Sequence, residues 1–373
     1  MKIAFFSNAL NHHQIDLCDQ LYARCGHDFV FIEIGGMSEE RKKMGFIAYD
    51  REYKINGNKD SCIAKELALE ADVAIMGADS FDYLKLRLNN TQKLTFSYSE
   101  RWLKKGIKNI LSPTFLRQIK LYLLKGHQRP WYMLCASGFL ANDLSRFGIF
   151  KKRCFKWGYF PKYLDKDRDY TVKTANILWV GRFIEWKHPL IMLHLAQLLN
   201  DNGIDFKITM IGDGPEMSTV QSLLKSDVLL RDKISILGNQ PNSRVIEEMH
   251  RNHIFCMTSD RQEGWGAVLG ESMAAGCCPV ASSEAGATPF LIRDNVNGLT
   301  FRTNDVQDLY SKVKFLITNP ENRKQMAQCA KRTIHRHWTA SIAADNLIKL
   351  SEALISGDET PAFTDEPCEL IKL

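Results

Sequence analysis

Residues 263–271 read Glu263-Gly264-Trp265-Gly266-Ala267-Val268-Leu269-Gly270-Glu271, a glycine-rich turn between two acidic residues that opens a short predicted helix. The helix ends at Gly276, and an apolar strand follows it. Backbone N–H groups at the start of a helix lack intrahelical partners and attract anions such as a diphosphate. Gly264 and Gly266 would let such a group approach closely, and each carboxylate can accept hydrogen bonds from paired hydroxyls. The stretch therefore predicts a site for a ligand that carries both phosphates and sugar hydroxyls.

The composition is typical of an α/β protein with more than one domain. The chain has 373 residues, which exceeds one ordinary core, and it is 45% hydrophobic and 25% charged. Its ten cysteines form no CxxC pair and have no histidine partners at metal spacing, so we expect reduced thiols in a cytosolic protein. Residues 1–10 lack a signal-peptide cleavage site, and no run reaches the ~20 apolar residues of a membrane span. We therefore expect a cytoplasmic protein.

Short apolar runs alternate with helical patterns throughout the chain. In the first half they predict strands at Lys2–Ser7, Phe29–Ile34, Val73–Met76, Leu94–Ser97 and Met133–Ala136, with helices at Gln14–Cys25, Ser61–Glu70 and Ala141–Phe147. In the second half they predict strands at Asn176–Val180, Phe206–Ile211, Ile234–Leu237, Ile254–Met257, Cys278–Ala281 and Leu299–Phe301. The intervening helices are predicted at Pro189–Asn200, Glu216–Leu224, Ser243–Arg251, Glu271–Ala275 and Val306–Thr318.

This alternation predicts an α/β fold with two Rossmann-like, doubly wound parallel-sheet domains that face each other across a cleft. We place the N-terminal domain at residues 1–165 and the C-terminal domain at 170–340, with a linker within 156–174. Residues 341–356 predict a C-terminal helix that returns to the N-terminal domain. Residues 357–373 are acidic and contain two prolines, which predicts a flexible tail.

Further signals follow strands of the second half. Arg182 and Lys187 follow one strand, directly after Gly181, and could clamp a phosphate leaving group. The other two signals are the tight turn Gly212-Asp213-Gly214-Pro215 and the loop Gly238-Asn239-Gln240, whose backbone could contact a flat base. Each signal alone is typical of ordinary turns or solvated loops. Their occurrence in this order at four strand ends, with the turn at 263–271 as the last, is specific.

The motifs together resemble the retaining glycosyltransferases of the GT-B fold, in particular glycosyltransferase family 4 (group 1). The resemblance extends over roughly residues 177–301. It implies that Arg182 and Lys187 hold the donor diphosphate, that Glu263 contacts the transferred sugar and that Glu271 binds the ribose hydroxyls. We therefore expect catalytic roles for Arg182, Lys187 and Glu263. Donor binding is expected of Gly181, Gly212, Gly214, Gly238, Asn239, Gln240, Gly264, Trp265, Gly266, Ala267, Val268 and Glu271.

The first half departs from the family pattern. The glycine-rich loop that often follows the first strand is replaced by a segment containing Asn11, His12 and His13. Where many members carry a histidine that reaches the donor sugar, this chain has Glu100 and Arg101. We interpret these five residues as candidates for the acceptor or sugar side of the site. A loop ion pair is an equally good interpretation of Glu100 and Arg101.

We expect neither a metal nor a cofactor. Adjacent histidines at a strand-to-helix turn should point in different directions, which disfavours joint ligation by His12 and His13. The run Asp165-Lys166-Asp167-Arg168-Asp169 mixes its acids with cations, so we interpret it as a solvated charge run. Fixed cations can instead stabilise the departing nucleotide diphosphate. A nicotinamide cofactor is disfavoured because no Gly-x-Gly-x-x-Gly turn follows the first strand.

The segment 101–130 is strongly basic, with eight lysines and arginines, no acidic residue and many interleaved apolar side chains. This pattern is typical of a helix that lies on an anionic membrane surface. It is equally typical of an amphipathic helix with an apolar face toward the core and a solvated basic side. Nucleic-acid binding is disfavoured because no recognition motif accompanies the charge.

The resemblance implies transfer of a sugar, with retention of configuration, from a nucleotide-sugar donor, for which we favour UDP. We expect the acceptor to be a saccharide or a lipid-linked saccharide in surface polysaccharide synthesis, and a position on the inner face of the membrane. Two alternatives stay open. One is a sugar-nucleotide epimerase or hydrolase on the same scaffold, and the other is a non-catalytic partner in a polysaccharide assembly complex.

Overall fold

The computed structural model describes residues 1–37, 47–166 and 175–373, which form two compact units. The N-terminal unit comprises Met1–Lys162 together with His337–Leu373, and the C-terminal unit comprises Tyr163–Arg336. The end of the chain therefore belongs to the same unit as its beginning. The predicted linker is described only in part, and Asp167, Arg168 and Asp169 lie outside the described residues.

A parallel sheet forms the centre of the N-terminal unit, with the strand order β3-β2-β1-β4-β5-β6-β7 in the described residues. The strands are β1 Ile3–Ser7, β2 Phe29–Glu33, β3 Lys54–Asn56, β4 Val73–Met76, β5 Leu94–Ser99, β6 Trp131–Cys135 and β7 Cys154–Lys156. Every residue of β1 and β4 is buried, as expected where helices cover both faces of a parallel sheet.

In the described residues, the α-helices of this unit are α1 Ile15–Cys25, α2 Ser61–Glu70, α3 Phe81–Asn90, α4 Pro113–Lys125, α5 Leu140–Ser145 and, from the end of the chain, α13 Ala340–Ser356. Helix α13 packs against α1, and the Arg24 Nε atom of α1 lies 2.6 Å from the Asp345 Oδ1 atom of α13. Thr339 caps α13 by accepting a hydrogen bond from the Ile342 amide.

A second parallel sheet forms the centre of the C-terminal unit, with the order β10-β9-β8-β11-β12-β13. Its strands are β8 Asn176–Val180, β9 Lys207–Ile211, β10 Ile234–Ile236, β11 Ile254–Met257, β12 Cys278–Ser282 and β13 Leu299–Phe301. The chain order reverses between β8 and β11. In doubly wound sheets this reversal point is where ligands bind, at the carboxyl ends of the strands.

The helices of the C-terminal unit are α6 Leu190–Asp201, α7 Met217–Ser226, α8 Asn242–Arg251, α9 Ala267–Ala274, α10 Thr288–Leu291, α11 Val306–Thr318 and α12 Pro320–His337, whose last residue is counted with the N-terminal unit. Helix α11 starts at a side-chain cap, because Asp305 Oδ1 accepts a hydrogen bond of 2.9 Å from the Asp308 amide.

The predicted fold class, two doubly wound α/β domains, is confirmed. Buried strands such as β4, β8 and β11 begin and end where their apolar runs do. The edge strands β3 and β7 were not predicted, because each has only three residues and carries no apolar run. Helix α9 begins at Ala267 rather than at the predicted Glu271, because Gly266 in the left-handed region ends the turn before it.

The expectation of a flexible tail at residues 357–373 is wrong, because its second half is docked along β7. The Cys368 amide donates to the Lys156 carbonyl at 2.8 Å, the Lys156 amide donates to the Glu369 carbonyl at 2.8 Å, and the Ile371 amide donates to the Cys154 carbonyl at 2.9 Å. The Cys368 side chain is buried. Acidic composition misled the prediction, since Glu369 forms an ion pair of 2.8 Å with Lys156.

None of the helices in the described part of the chain combines the length and the apolar character that a membrane crossing requires.

The docked tail gives a stability prediction. We expect removal of residues 358–373 to lower the free energy of unfolding by about 3 kcal/mol or more, because three buried main-chain hydrogen bonds and the packing of Cys368 are lost. Urea denaturation measures the change. Removal of Leu373 alone is the control, since that residue is 64% exposed. Equal stability of the long truncation and the wild type would contradict the docked position.

Candidate functional site

The loops that follow β8, β9 and β10 are joined by main-chain hydrogen bonds at the carboxyl edge of the C-terminal sheet. The Gly181 amide donates to the Ile211 carbonyl at 3.0 Å, and the Gly212 amide donates to the Gly238 carbonyl at 2.9 Å. Parallel strands bring their carboxyl ends to one edge, so three glycines far apart in sequence become neighbours. This edge holds most of the donor-binding residues that the sequence predicts.

Close backbone contact explains why glycine occupies positions 212 and 214. Gly212 has φ +134°, and a Cβ atom there would lie 1.9 Å from the Gly181 carbonyl oxygen. Gly214 has φ +156°, and its Cβ would lie 2.5 Å from the Phe183 carbonyl oxygen. Any other residue would push the β8 and β9 loops apart, so these glycines fix the shape of the loop that carries Arg182 and Lys187.

Lys187 ends a single 3-10 turn, Glu185–Lys187, in the loop after β8. Its Nζ atom lies 2.7 Å from Glu263 Oε2, and the Ser259 hydroxyl donates to the same oxygen at 2.9 Å. The Lys187 and Glu263 side chains are only 14% and 11% exposed, so this ion pair is little screened by water. It joins the loop after β8 to the segment after β11.

Arg182 and Lys187 both lie against one indole ring. The Arg182 Cζ atom is 6.0 Å from the centroid of Trp186, and the Lys187 Nζ atom is 5.0 Å from it. An aromatic face attracts a cation and restricts where it sits. Arg182 is exposed, whereas Lys187 is partly buried, so the arrangement offers an anion one accessible and one fixed positive charge.

Side chains of Thr258 and Trp179 hold the backbone of the Lys187 loop in place. The Thr258 hydroxyl donates to the Lys187 carbonyl at 2.5 Å, and the Trp179 indole N–H donates to the Thr258 oxygen at 2.8 Å. The next residue, His188, has φ +48°, a left-handed conformation that is uncommon for a residue with a side chain. Its Nε2 atom lies 3.6 Å from Asp260 Oδ2.

The turn that opens α9 lies against the same ion pair. Gly266 has φ +87°, and a Cβ atom there would lie 2.1 Å from the Met257 Cε atom and 3.2 Å from Glu263 Cγ. Lys187 and Gly266 therefore contact Glu263 from two sides. Ala267 and Val268 form the first turn of α9, whose amides have no carbonyl four residues earlier in the helix to bind.

A second close approach holds the turn from behind. A Cβ atom on Gly286 would lie 1.6 Å from the Gly264 carbonyl oxygen, and the Ala287 amide donates to the Trp265 carbonyl at 2.9 Å. Trp265 is itself buried. Its ring packs beneath the turn, 6.2 Å from the Phe290 ring between centroids, and its role in donor binding stays a prediction.

Glu271 lies in α9 and is 8% exposed. Among the described residues its carboxylate forms no hydrogen bond and no ion pair. Burial raises the pKa of Glu271 from 4.5 to about 7, because the carboxylate loses hydration without gaining a partner. A carboxylate in this state gains free energy from a ligand that brings hydroxyl donors to it.

The loop predicted to contact a base is Gly238-Asn239-Gln240, which follows β10. Gly238 has φ +67°, with open space where a Cβ would be. Asn239 is exposed, and the Gln240 side chain donates to the Leu237 carbonyl at 2.6 Å. Gln240 thus shapes its own loop, and the Gly238 carbonyl at the start of this loop accepts the hydrogen bond from the Gly212 amide.

The structure brings Gly181, Arg182, Lys187, Glu263 and Gly266 into one connected cluster. No described contact links this cluster to Asn239 or to the Glu271 carboxylate. Sequence reasoning missed the supporting residues Trp186, Thr258, Ser259 and Gly286, of which Thr258 and Ser259 could have been found from their place directly after β11.

In the N-terminal unit, Asn11 is occupied by local structure. Its side-chain oxygen accepts from the His13 amide at 2.9 Å, and its carbonyl accepts from the Gln14 and Ile15 amides at 3.0 Å. Asn11 is buried, and these hydrogen bonds to the His13, Gln14 and Ile15 amides stabilise the start of α1.

The expectation that His12 and His13 point in different directions is wrong, because their ring centroids lie 3.9 Å apart. The His13 ring also stacks on Tyr159, at 4.7 Å between centroids and 15° between planes. Across the parts of the chain that the structure describes, no three His, Cys, Asp or Glu side chains form a group that could hold a metal ion.

Glu100 and Arg101 are both held in ion pairs. Glu100 accepts hydrogen bonds from the Tyr159 hydroxyl and from Lys104 Nζ. Arg101 Nε lies 3.1 Å from the buried Asp143 carboxylate, and its guanidinium is 4.6 Å from the centre of the Phe139 ring. This arrangement matches the loop ion-pair interpretation more closely for Arg101 than for Glu100, since Arg101 is only 9% exposed.

Comparison with known proteins finds similarity mainly in the C-terminal half. Residues 165–333 match the family described as glycosyl transferases group 1. An uncharacterized glycosyltransferase of Methanocaldococcus jannaschii is 28% identical over 199 residues, which cover 53% of each chain. A Campylobacter jejuni N-acetylgalactosaminyltransferase, named for a saccharide on PP-undecaprenol, is 29% identical over 164 residues, 43% of each chain. The chain spans about half the length of the curated relatives that it matches.

The fold extends the likeness to nearly the whole chain. The crystal structure of Anabaena HepE in complex with UDP aligns with a TM-score of 0.70 over 95% of this chain and 100% of HepE, at 15% identity. The GT-B fold class expected from the sequence is therefore confirmed. Residues 165–333, which match the family model described as glycosyl transferases group 1, carry the Lys187–Glu263 pair and the turn of α9.

Proposed function

We propose that the protein is a retaining glycosyltransferase that moves a sugar from a nucleotide-sugar donor, with a UDP-sugar favoured, to a saccharide or lipid-linked saccharide in surface polysaccharide synthesis. The observation that carries the proposal is the cluster in which Arg182 and Lys187 lie on one indole ring and Glu263 connects Lys187 to the turn that opens α9. Such a cluster suits a diphosphate leaving group.

The reaction breaks the bond between the anomeric carbon and the β-phosphate oxygen, and the electron pair leaves with the phosphate. Fixed cations lower the energy of this developing charge most where water is scarce. Lys187 is already oriented by Glu263, Ser259 and its own carbonyl contact, so little reorganisation is needed. In a front-face substitution the acceptor oxygen bonds to the same face of the sugar, and its proton passes to the departing phosphate.

We assign the donor contacts as follows. Arg182, Lys187 and the first-turn amides of α9 bind the diphosphate, and the Glu271 carboxylate accepts hydrogen bonds from the ribose hydroxyls. The buried Glu271 carboxylate has no partner among the residues that the structure describes, which supports this role, since such a group is costly unless a ligand satisfies it. UDP is favoured because HepE, which shares the fold, was crystallised with it. The cations replace the metal that other transferases use, so we propose activity without one.

The acceptor is proposed to be lipid-linked. The name of the Campylobacter jejuni relative includes PP-undecaprenol, and an Erwinia amylovora relative that is 27% identical is named for amylovoran biosynthesis. In the N-terminal unit the stacked rings of His13 and Tyr159 are the best candidates for sugar contact, because aromatic faces pack on sugar rings. We place the protein at the cytoplasmic face of the membrane, as a peripheral protein that meets lipid through residues 101–130.

Replacing Lys187 tests the leaving-group role. We expect Lys187→Ala to lower kcat by about a hundredfold or more, as is typical when one stabilising donor is removed from a transition state. The measurement is UDP release from a panel of UDP-sugars, with undecaprenyl-diphosphate-linked saccharides as acceptors. Release that is equally fast without acceptor would contradict transfer and favour a hydrolase, whereas a UDP-sugar converted to its epimer without UDP release would favour an epimerase.

Two variants separate chemistry from folding. Lys187→Ala removes the cation beside the buried Glu263 carboxylate, which can cost about 3–5 kcal/mol of stability. The double variant Lys187→Met/Glu263→Gln removes both charges, so it should fold and still be inactive. Lys233→Ala is the matched control, because Lys233 also lies over a ring, at 5.1 Å from Phe206, and makes a 2.8 Å hydrogen bond to Asn200. Activity that survives in the double variant would refute the role of Lys187.

The raised pKa of Glu271 predicts a pH dependence of donor binding. Only the carboxylate accepts two hydroxyl hydrogen bonds, so we expect affinity for a UDP-sugar to fall as pH drops through about 7. Calorimetry in buffers of different ionisation enthalpy should show proton release on binding. Glu271→Gln should bind about tenfold or more weakly and lose this pH dependence. An unchanged proton count in Glu271→Gln would contradict the assignment.

The same carboxylate affects stability in the free protein. Its pKa is about 7 in the folded state and 4.5 when unperturbed, so the folded chain binds more protons between these values. We expect the free energy of unfolding to fall by up to about 3 kcal/mol as pH rises across this window, relative to Glu271→Gln. Parallel urea titrations of the two proteins measure the difference, and parallel pH profiles would contradict it.

A further inference from the structure

The outer face of α4 and the turn before it expose large apolar side chains. Leu111 is 81% exposed, Leu116 is 51% exposed, and Leu123 and Leu124 are each 60% exposed. Arg117 and Lys120 are exposed beside them. We call these six residues the basic leucine face: Leu111, Leu116, Arg117, Lys120, Leu123 and Leu124.

The core does not account for these leucines, because the opposite side of α4 already packs inward. Phe115 lies 5.0 Å from Phe147, and Tyr122 lies 4.3 Å from Phe150, between ring centroids. At 3.6 residues per turn, the five α4 members of the basic leucine face fall within an arc of about 120°. Helix α4 therefore buries one apolar side in the core and exposes a second apolar surface to solvent.

The charges around this face have one sign. Residues 101–130 contain no acidic residue. Of their cations, Arg101 and Lys104 are paired with Asp143 and Glu100. Lys105, Lys108, Arg117 and Lys120 are exposed, and within the described chain none of these four forms an ion pair. Four exposed leucines thus lie among four unpaired cations.

We propose that the basic leucine face rests on an anionic lipid bilayer, with the leucines in the boundary between headgroups and acyl chains and the cations among the lipid phosphates. Apolar side chains supply burial, and each cation near an anionic surface adds attraction that salt weakens. A nucleic acid would satisfy the cations and leave the leucines in water, because single strands are bound through aromatic stacking and duplexes through phosphates and base edges. The proposal rests on the proposed function, whose lipid-linked acceptor lies in such a membrane.

Vesicle flotation tests the face. The full chain is mixed at low salt with phosphatidylcholine vesicles, with and without phosphatidylglycerol. We expect the wild type to float only with the anionic vesicles and to be released by high salt. Arg117→Glu/Lys120→Glu should lower the partition coefficient about 25-fold or more, at about fivefold per charge removed. Leu116→Ser/Leu123→Ser/Leu124→Ser should lower it at least about tenfold.

Matched variants control for misfolding and for nonspecific binding of exposed leucines to the vesicles. Leu223→Ser/Leu229→Ser alters exposed leucines of the C-terminal unit, 47% and 67% exposed, and should float like the wild type. Arg117→Lys/Lys120→Arg keeps the charge and should also float. Each variant's thermal unfolding is compared with the wild type. If the serine triple variant unfolds early, the charge-reversal variant and its charge-keeping partner decide.

The outcomes separate this inference from the proposed function. The membrane face is overturned if the wild type does not float with anionic vesicles at low salt. It is also overturned if the charge-reversal variant and the serine triple variant both float as well as the wild type. Binding to a single-stranded oligonucleotide but not to vesicles overturns it as well. Binding of UDP is measured in the same samples. Lost flotation with intact UDP binding contradicts the membrane face and the peripheral location proposed with it, but leaves the donor site standing. Intact flotation without UDP binding contradicts only the proposed donor site.

Discussion

The candidate site depends on one interaction, the buried ion pair between Lys187 and Glu263. It joins the loop after β8 to the segment that opens α9, and the hydrogen bond from the Thr258 hydroxyl to the Lys187 carbonyl holds the same loop. A buried pair of this kind adds little stability over an apolar substitute, but losing one partner is costly. We infer that its value lies in orientation: Glu263 and Ser259 keep the Lys187 ammonium pointed in one direction before any ligand arrives.

Close backbone packing makes that orientation possible. Gly212 lets the β9 loop touch the Gly181 carbonyl, and Gly286 lets a distant segment touch the Gly264 carbonyl. Side chains at either position would push the loops apart, and an ammonium displaced with its loop would no longer meet the phosphate proposed for it. The glycines and the ion pair therefore act together: close backbone packing fixes the loops, and the fixed loops hold the Lys187 ammonium in one position.

Much of this could be predicted from the sequence, because strand ends and glycine turns are local signals. The apolar runs of β8 and β11 gave the sheet, and Gly181-Arg182 with Lys187 gave the cationic loop. The Lys187–Glu263 bond itself could not be predicted, since it joins residues 76 positions apart whose neighbours are set by the sheet. The contacts of Trp265, Arg101 and the docked tail were also hidden, because burial and ion pairing depend on partners that composition does not reveal.

The central claim is that the fixed Lys187 ammonium recognises the phosphates of the ligand. The most direct measurement compares the affinities of UDP and uridine, by calorimetry, in the wild type and in Lys187→Met/Glu263→Gln. We predict that the wild type prefers UDP strongly and that the double variant loses about tenfold or more of this preference while its affinity for uridine is unchanged. An unchanged ratio of the two affinities would contradict the claim.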